Sequence, residues 1–317
     1  MSALRIGTRG SALALWQARY VAELIGAQPG GPSVELVPIK TEGDLRTDVP
    51  LSQLAGRAFF TKEIDRALLA GEIDIAVHSL KDLSTVLEAG ISLAAVLRRE
   101  DARDALLAAR PIGSLGDLPR GARVGTSSLR RRAFLAHARP DIVPLELRGN
   151  VPTRIEKLQR GEYDAIVLAT AGLNRLGLQR HIAAHLSAAE FPPAVSQGAI
   201  GVCAREGDAS AARWLHALDH GPTRLATAAE RALLRRIEGG CQVPLGALAG
   251  IAAGRLSLQA AVCALDGSQR LDATAAVEAG SADPVGLGER VAQQLQALGA
   301  SAIIERQRAV QPMAELP

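Results

Sequence analysis

One repeated unit constrains this chain most: a short apolar strand, a polar turn containing glycine, and a helix. Leu4–Gly7 reads as a strand, Thr8-Arg9-Gly10-Ser11 as the turn and Ala12–Ile25 as the helix. The unit returns at Arg123–Gly125, where Thr126-Ser127-Ser128 leads into a helix over Ser128–Ala138. Ser127 or Ser128 suits the helix N-cap, since a side-chain oxygen there takes up a free N–H of the first turn. Further strands are expected at Glu35–Ile39, Ile73–Val77, Ser92–Leu97, Ile142–Glu146, Asp164–Ala169 and Gly198–Cys203, with helices at Thr61–Ala70 and Val151–Arg160. Strands alternating with helices imply parallel sheets covered by helices. Two such halves with a charged crossing at Arg98–Asp104 imply two α/β lobes around a cleft.

The remaining chain has a different rhythm. Asp208–His220 and Pro222–Ile237 read as helices, and Gly239-Gly240-Cys241-Gln242-Val243-Pro244 as a loop. Leu245–Ile251, Leu256–Ala264 and Leu271–Val277 read as three antiparallel strands, with Asp266-Gly267 turning between the last two. Helices follow at Ser281–Leu298 and Ala300–Arg308, so a smaller α+β domain begins near residue 219. Lys40 to about Phe60 lacks periodicity and reads as a long loop, of the kind that often serves as a lid.

Ligands of open α/β sheets sit beyond the carboxyl ends of the strands, and the turns at Arg9, Lys81, Arg130 and Arg148 all follow strands. The richest stretch runs from Val124 to Arg154. It holds six arginines against only Asp141 and Glu146, in a chain whose 36 basic residues include only four lysines. Glycine, hydroxyls, a helix N-terminus and arginines together make an anion site, since arginine grips a carboxylate or phosphate with two parallel bonds. The same residues also fit a solvated basic face. A net charge of +3 and 3% aromatics argue against nucleic acid, which needs a focused basic patch with stacking rings. Small acidic ligands suit the chain better. Nucleotide-binding glycine motifs are missing, which disfavours a nucleotide ligand.

Lys81-Asp82 follows a nearly uncharged strand. It reads either as a loop ion pair or as a carboxylate held at the cleft for acid–base or cation-stabilising work. The three cysteines are far apart, so neither a disulfide framework nor a zinc site is expected. Cys203 and Cys263 lie in apolar runs and read as small core residues. Cys241 differs: glycines and a proline shape a loop that would expose its sulfur as a nucleophile. His181 and His185, like His216 and His220, are spaced for one helix face but lack a third ligand, so no metal is expected. No apolar run of about 18 residues and no leader pattern is visible, so a soluble cytoplasmic protein is expected.

Five segments then combine. They are Thr8-Arg9-Gly10-Ser11 with Leu15-Trp16-Gln17, His78-Ser79-Leu80-Lys81-Asp82, Val124-Gly125-Thr126-Ser127-Ser128-Leu129-Arg130-Arg131, Leu147-Arg148-Gly149-Asn150, and Glu238-Gly239-Gly240-Cys241-Gln242-Val243-Pro244. In that order, over nearly the whole chain, they resemble the porphobilinogen deaminase (hydroxymethylbilane synthase) family. The resemblance implies two lobes like those of periplasmic binding proteins plus a smaller C-terminal α+β domain carrying a cysteine loop. The corresponding boundaries are 1–97 with 198–218, then 98–197, then 219–317. It implies a transferase of tetrapyrrole biosynthesis that joins four porphobilinogens head to tail, releasing ammonia each time, to give linear hydroxymethylbilane. The cofactor implied is dipyrromethane, held by a thioether on Cys241.

Carried over residue by residue, Asp82 would assist amine loss and stabilise the cationic azafulvene. Ser79, Lys81, Thr126, Ser128, Arg130 and Arg131 would hold the cofactor, and Arg9, Ser11, Arg148, Asn150 and Arg154 the substrate. The implied partner is porphobilinogen alone, with a monomer acting away from membranes and nucleic acid. The chemistry agrees with the composition: each porphobilinogen carries two carboxylates of reference pKa near 4, so the growing chain is a polyanion. The chain departs from the family pattern at Thr41-Glu42-Gly43-Asp44, at Ala55-Gly56-Arg57-Ala58-Phe59-Phe60, at Pro152, and at Ser196, where glycine is usual. A rival reading is a non-catalytic two-lobed binder of small organic polyanions, which leaves the third domain and Cys241 unexplained.

Overall fold

The computed structural model describes residues 3–45, 61–237, 243–281 and 283–310. Labels number the elements along the chain. The first hundred residues give β1 (Leu4–Arg9), α1 (Ala12–Gly26), β2 (Val34–Ile39), α2 (Glu42–Leu45), α3 (Lys62–Leu69), β3 (Ile75–Ser79) and β4 (Ile91–Val96). Next come β5 (Asp104–Ala108), β6 (Arg123–Gly125), α4 (Leu129–Ala138), β7 (Val143–Leu145), α5 (Val151–Gln159), β8 (Ala165–Ala169), α6 (Thr170–Arg175) and β9 (Ala184–His185). The rest gives β10 (Ile200–Arg205), α7 (Ala209–Leu215), α8 (Gly221–Arg236), β11 (Leu245–Ala252), β12 (Arg255–Cys263), β13 (Arg270–Glu278), α9 (Pro284–Ala297) and α10 (Ala300–Val310).

The chain forms two compact units. One takes the described residues up to 100 together with 198–224; the other takes 101–197 and the described chain from 225 onward. The first is built on a five-stranded sheet ordered β2-β1-β3-β10-β4. Its faces are covered separately. Ile6, Ile75, Val77 and Val202 pack against Val21 and Ile25 of α1, while Ala76, Val96 and Cys203 pack with Ile64 and Leu68 of α3. Burial on both faces explains why Ile75–Val77 of β3 is an unbroken apolar run rather than an alternation.

The second unit holds another five-stranded sheet, ordered β7-β6-β8-β5-β9, and the three-stranded sheet β11-β12-β13. Leu106, Val124 and Val167 pack with Phe134, Phe191 and Cys263 on one face, and Leu107, Ile166 and Leu168 with Ile155 and Leu173 on the other. Leu256, Leu258 and Val262 form a separate core with Leu233, Val291 and Leu295. The architecture is the expected mixed α/β fold with two sheet-containing lobes and a smaller C-terminal α+β domain.

Two expectations need correction. The large sheets are mixed: β10 runs antiparallel to β3 and β4, and β5 antiparallel to β8. The charged crossing also ends earlier than its charges suggest, because Asp104 is the first residue of β5. In the expected long loop, Glu42–Leu45 is one helical turn; residues 46–60, with the departures at 55–60, lie outside the described residues.

Candidate active site

In the first unit, β1 and β3 are parallel neighbours, so the turns after them stand at one end of the sheet. β1 ends in Arg9. Ser11 caps α1, its hydroxyl accepting from Ala14 N at 3.3 Å. β3 ends in Ser79, and a single 3₁₀ turn, Leu80–Asp82, follows. Leu80 is fully buried and pins that turn, leaving Lys81 and Asp82 half-buried. Ser79 is tied to the buried Gln17 of α1. His78, immediately before, is buried, and burial together with the Arg9 charge pushes its pKa down to about 4. This neutral imidazole beside the charged turn was not expected to matter, because its strand reads simply as apolar.

In the second unit β6 and β7 are parallel neighbours, so their turns also share a sheet end. Buried Thr126 accepts from Ser128 N at 3.2 Å, and Ser128 caps α4, accepting from Arg131 N at 3.4 Å. Ser127, the other capping candidate, instead donates to Leu147 O at 2.6 Å and ties the two turns together. Asn150 caps α5, accepting from Thr153 N at 3.0 Å. Gly149 before it sits at φ 112° with the Thr153 side chain crowding any Cβ, so only glycine fits there. Arg154 Nε donates to Gly149 O at 2.7 Å, which folds this arginine back over its own helix start.

Arg130 and Arg131 do not form a solvated face. They are 4% and 6% exposed, and both grip the carboxylate of Asp104, itself wholly buried. Arg130 Nη2 reaches Oδ2 at 2.7 Å and Arg131 Nη2 reaches Oδ1 at 2.8 Å. Burial alone would raise the Asp104 pKa, but the two guanidiniums override it and hold this carboxyl far below the usual range. Burial pushes the Arg130 pKa down, against the pull of Asp104. Asp104 is the residue missed by reading the sequence; its only signal is an acid at the head of the apolar run Ala105–Leu107.

Two buried cations share one buried anion, which leaves a net positive charge. The Nε–H of each arginine is buried with no hydrogen-bond partner. Buried cations with unused donors are expensive unless an anion completes them. The site therefore fits a ligand that brings a carboxylate. Cys203 and Cys263 are buried, and burial pushes the Cys263 thiol up to about 11, so Cys263 offers no ready thiolate. Cys241 lies outside the described residues.

Comparison with known proteins gives the same answer from two directions. Residues 4–213 match the family model described as "Porphobilinogen deaminase, dipyromethane cofactor binding domain", and 224–297 match "Porphobilinogen deaminase, C-terminal domain". A protein named porphobilinogen deaminase from Syntrophotalea carbinolica is 48% identical over 304 residues, covering 96% of this chain and 95% of that protein. Another of that name from Trichlorobacter lovleyi is 46% identical over 302 residues, covering 95% and 96%. Among solved structures, a TRAP periplasmic solute binding protein from Desulfovibrio salexigens gives a TM-score of 0.40 at 12% identity, covering 68% of this chain and 72% of that one.

Proposed function

The chain belongs to the porphobilinogen deaminase family, and on that premise we propose how its own residues divide the work. It is a transferase that joins four porphobilinogens head to tail into linear hydroxymethylbilane, with loss of ammonia, on a dipyrromethane cofactor. When bound, dipyrromethane supplies the nucleophilic pyrrole carbon on which the chain grows. Cys241 Sγ holds it through a thioether, a neutral link that survives release of the product. The buried state of Cys203 and Cys263 supports that assignment.

Arg130 and Arg131, with Thr126, Ser128, Ser79 and Lys81, hold the cofactor carboxylates. Arg9, Ser11, Arg148, Asn150 and Arg154 hold those of incoming porphobilinogen. Many separate donors suit a polyanion that must be gripped yet moved along. Asp82 accepts a pyrrole N–H and stabilises the positive charge left on the substrate as ammonia departs. A carboxylate in a sheltered site does this more strongly than water. The observation that carries this division is the charge count around Asp104: two buried guanidiniums, one buried carboxylate and unused Nε–H donors.

The domain division 1–97 with 198–218, 98–197 and 219–317 goes with this reading, supported by the separate family model over 224–297. So does a cytoplasmic monomer acting away from membranes and nucleic acid. Buried cysteines far apart in the chain suit a reducing compartment, and no described helix is long and apolar enough to cross a membrane. Intact mass tests the proposal. The purified protein should exceed its sequence mass by two pyrrole units, and Cys241→Ser should lose that increment while Cys203→Ala and Cys263→Ala keep it. A parent protein at the plain sequence mass would favour the non-catalytic binder.

A further inference from the structure

Asp104 is wholly buried, and of the described residues assigned to cofactor or substrate it bonds to Arg130 and Arg131. Its Oδ2 accepts from Arg130 at 2.7 Å, and its Oδ1 from Arg131 at 2.8 Å and from Gln197 Nε2 at 2.9 Å. Gln197 is fixed in turn, its Nε2 also donating to Ala102 O at 2.8 Å. β5 runs antiparallel to β8, with Asp104 opposite Ala169, so this carboxylate stands at the sheet end where β6 and β8 finish. That is the end where α4 begins.

Each guanidinium is held at a second point. Arg130 Nη1 donates to Pro192 O at 2.7 Å and Arg131 Nη1 to Val167 O at 2.8 Å. The Pro192 carbonyl is itself confined, because it packs against Gly246 of β11 so closely that a Cβ there would overlap it. Pro193 O accepts from Ala247 N at 2.8 Å. Two fixed bonds define the plane of a guanidinium, and they leave three of its five N–H donors unused, among them a buried, unpartnered Nε–H.

We propose that Asp104 is a positioning residue for dipyrromethane: it locks Arg130 and Arg131 in place, so that their remaining guanidinium donors and the net positive charge are set for a cofactor carboxylate. The inference rests on the assignment of these arginines to the cofactor. A single buried pair is already neutral, so the second buried arginine leaves a positive charge that Asp104 offsets only in part. One carboxylate shared by two cations fixes both guanidiniums and leaves room for a second anion. Without Asp104 the two guanidiniums repel each other and lose the shared acceptor that sets their planes.

The test follows cofactor loading. Full-length apoprotein is incubated with porphobilinogen, and the gain of two pyrrole units is timed by intact mass. Asp104→Asn keeps the shape and removes the charge. It should load about tenfold more slowly, the value of one charge-assisted hydrogen bond. Among molecules that do load, kcat should fall by a similar factor while KM for porphobilinogen stays within about twofold. Gln197→Met, which removes one donor from Asp104, should shift loading in the same direction by a smaller factor, and it carries the test if Asp104→Asn does not fold. Folded variants that load at the parent's rate would overturn the inference, as would normal kcat per loaded molecule. A parent protein that gains no mass would overturn the cofactor assignment itself, and this inference with it.

Discussion

Gln17 and Ser79 hold each other by both ends of one amide: Gln17 Nε2 donates to Ser79 Oγ at 2.9 Å, and the Ser79 hydroxyl reaches Gln17 Oε1 at 3.2 Å. The pair joins α1 to the end of β3, one residue before the turn that carries Lys81 and Asp82. It is a strut for that turn. Ser79→Ala leaves a buried amide with nothing to bond, and Gln17→Leu leaves the hydroxyl alone. Each should cost about 1 kcal/mol. In urea unfolding the double variant should cost about 1 kcal/mol less than the sum of the two, because both singles break the same pair. Additive losses would remove the strut.

Asp82→Asn keeps the shape of the side chain and removes its charge. If the carboxylate stabilises a developing cation, kcat should fall by about 10²- to 10³-fold, the range for losing one preorganised electrostatic partner. The intact mass should still show the two added pyrrole units, since the anchor is elsewhere. Steady-state assays beside mass spectra separate the two effects. Activity within a few-fold of the parent would take Asp82 out of the chemistry.

Much of this arrangement was legible in the sequence, because strand, glycine turn and helix cap are local signals. The turns at Thr126–Ser128 and Arg148–Asn150 lie where their residues put them, while β1 and β3 each run two residues further than expected, to Arg9 and Ser79, before turning at Gly10-Ser11 and Leu80–Asp82. What could not be read was non-local. β5 hid behind the charges of Arg98–Arg103, and β10 reaches its partner β3 more than a hundred residues back, antiparallel, which no local period encodes. The inward turn of Arg130 and Arg131 was equally hidden. Charges are expected on a helix's solvent face, and only Asp104, 26 and 27 residues away, makes their burial tolerable. Ser196 shows the reverse: a departure visible in the sequence whose cost only the backbone reveals.

His78 gives a pH dependence of defined sign. Its folded pKa is depressed from 6.5 to about 4, chiefly by burial, and Nε2 has no hydrogen-bond partner. The folded chain thus binds the proton less readily than the unfolded one. The stability this neutral imidazole contributes is complete above pH 6.5 and is lost as pH falls from there towards 4. At about 1.4 kcal/mol per pH unit the full loss is about 3 kcal/mol, and about 2 kcal/mol of it is gone by pH 5. Urea titrations from pH 7 to 4.5 should show this slope in the parent. The slope should flatten by that amount in His78→Gln, whatever that variant's stability at pH 7. Parallel profiles would mean that His78 is protonated as easily in the fold as outside it.

Ser196 sits at φ 62°, wholly buried, with its hydroxyl unpartnered. Its N–H donates to the buried Glu230 at 2.6 Å, which holds the backbone in the left-handed region. A side chain there costs about 1–2 kcal/mol relative to glycine, and an unsatisfied buried hydroxyl about 1 kcal/mol more. Against these, glycine gives the unfolded chain extra freedom worth about 0.4–1 kcal/mol. The first two effects win. Ser196→Gly keeps the N–H that Glu230 needs and should stabilise the protein by about 1 kcal/mol, or about 2 °C in Tm for a chain of this length. Scanning calorimetry of parent and variant decides it. A lower Tm in the variant would mean that the hydroxyl carries a bond worth more than the backbone strain.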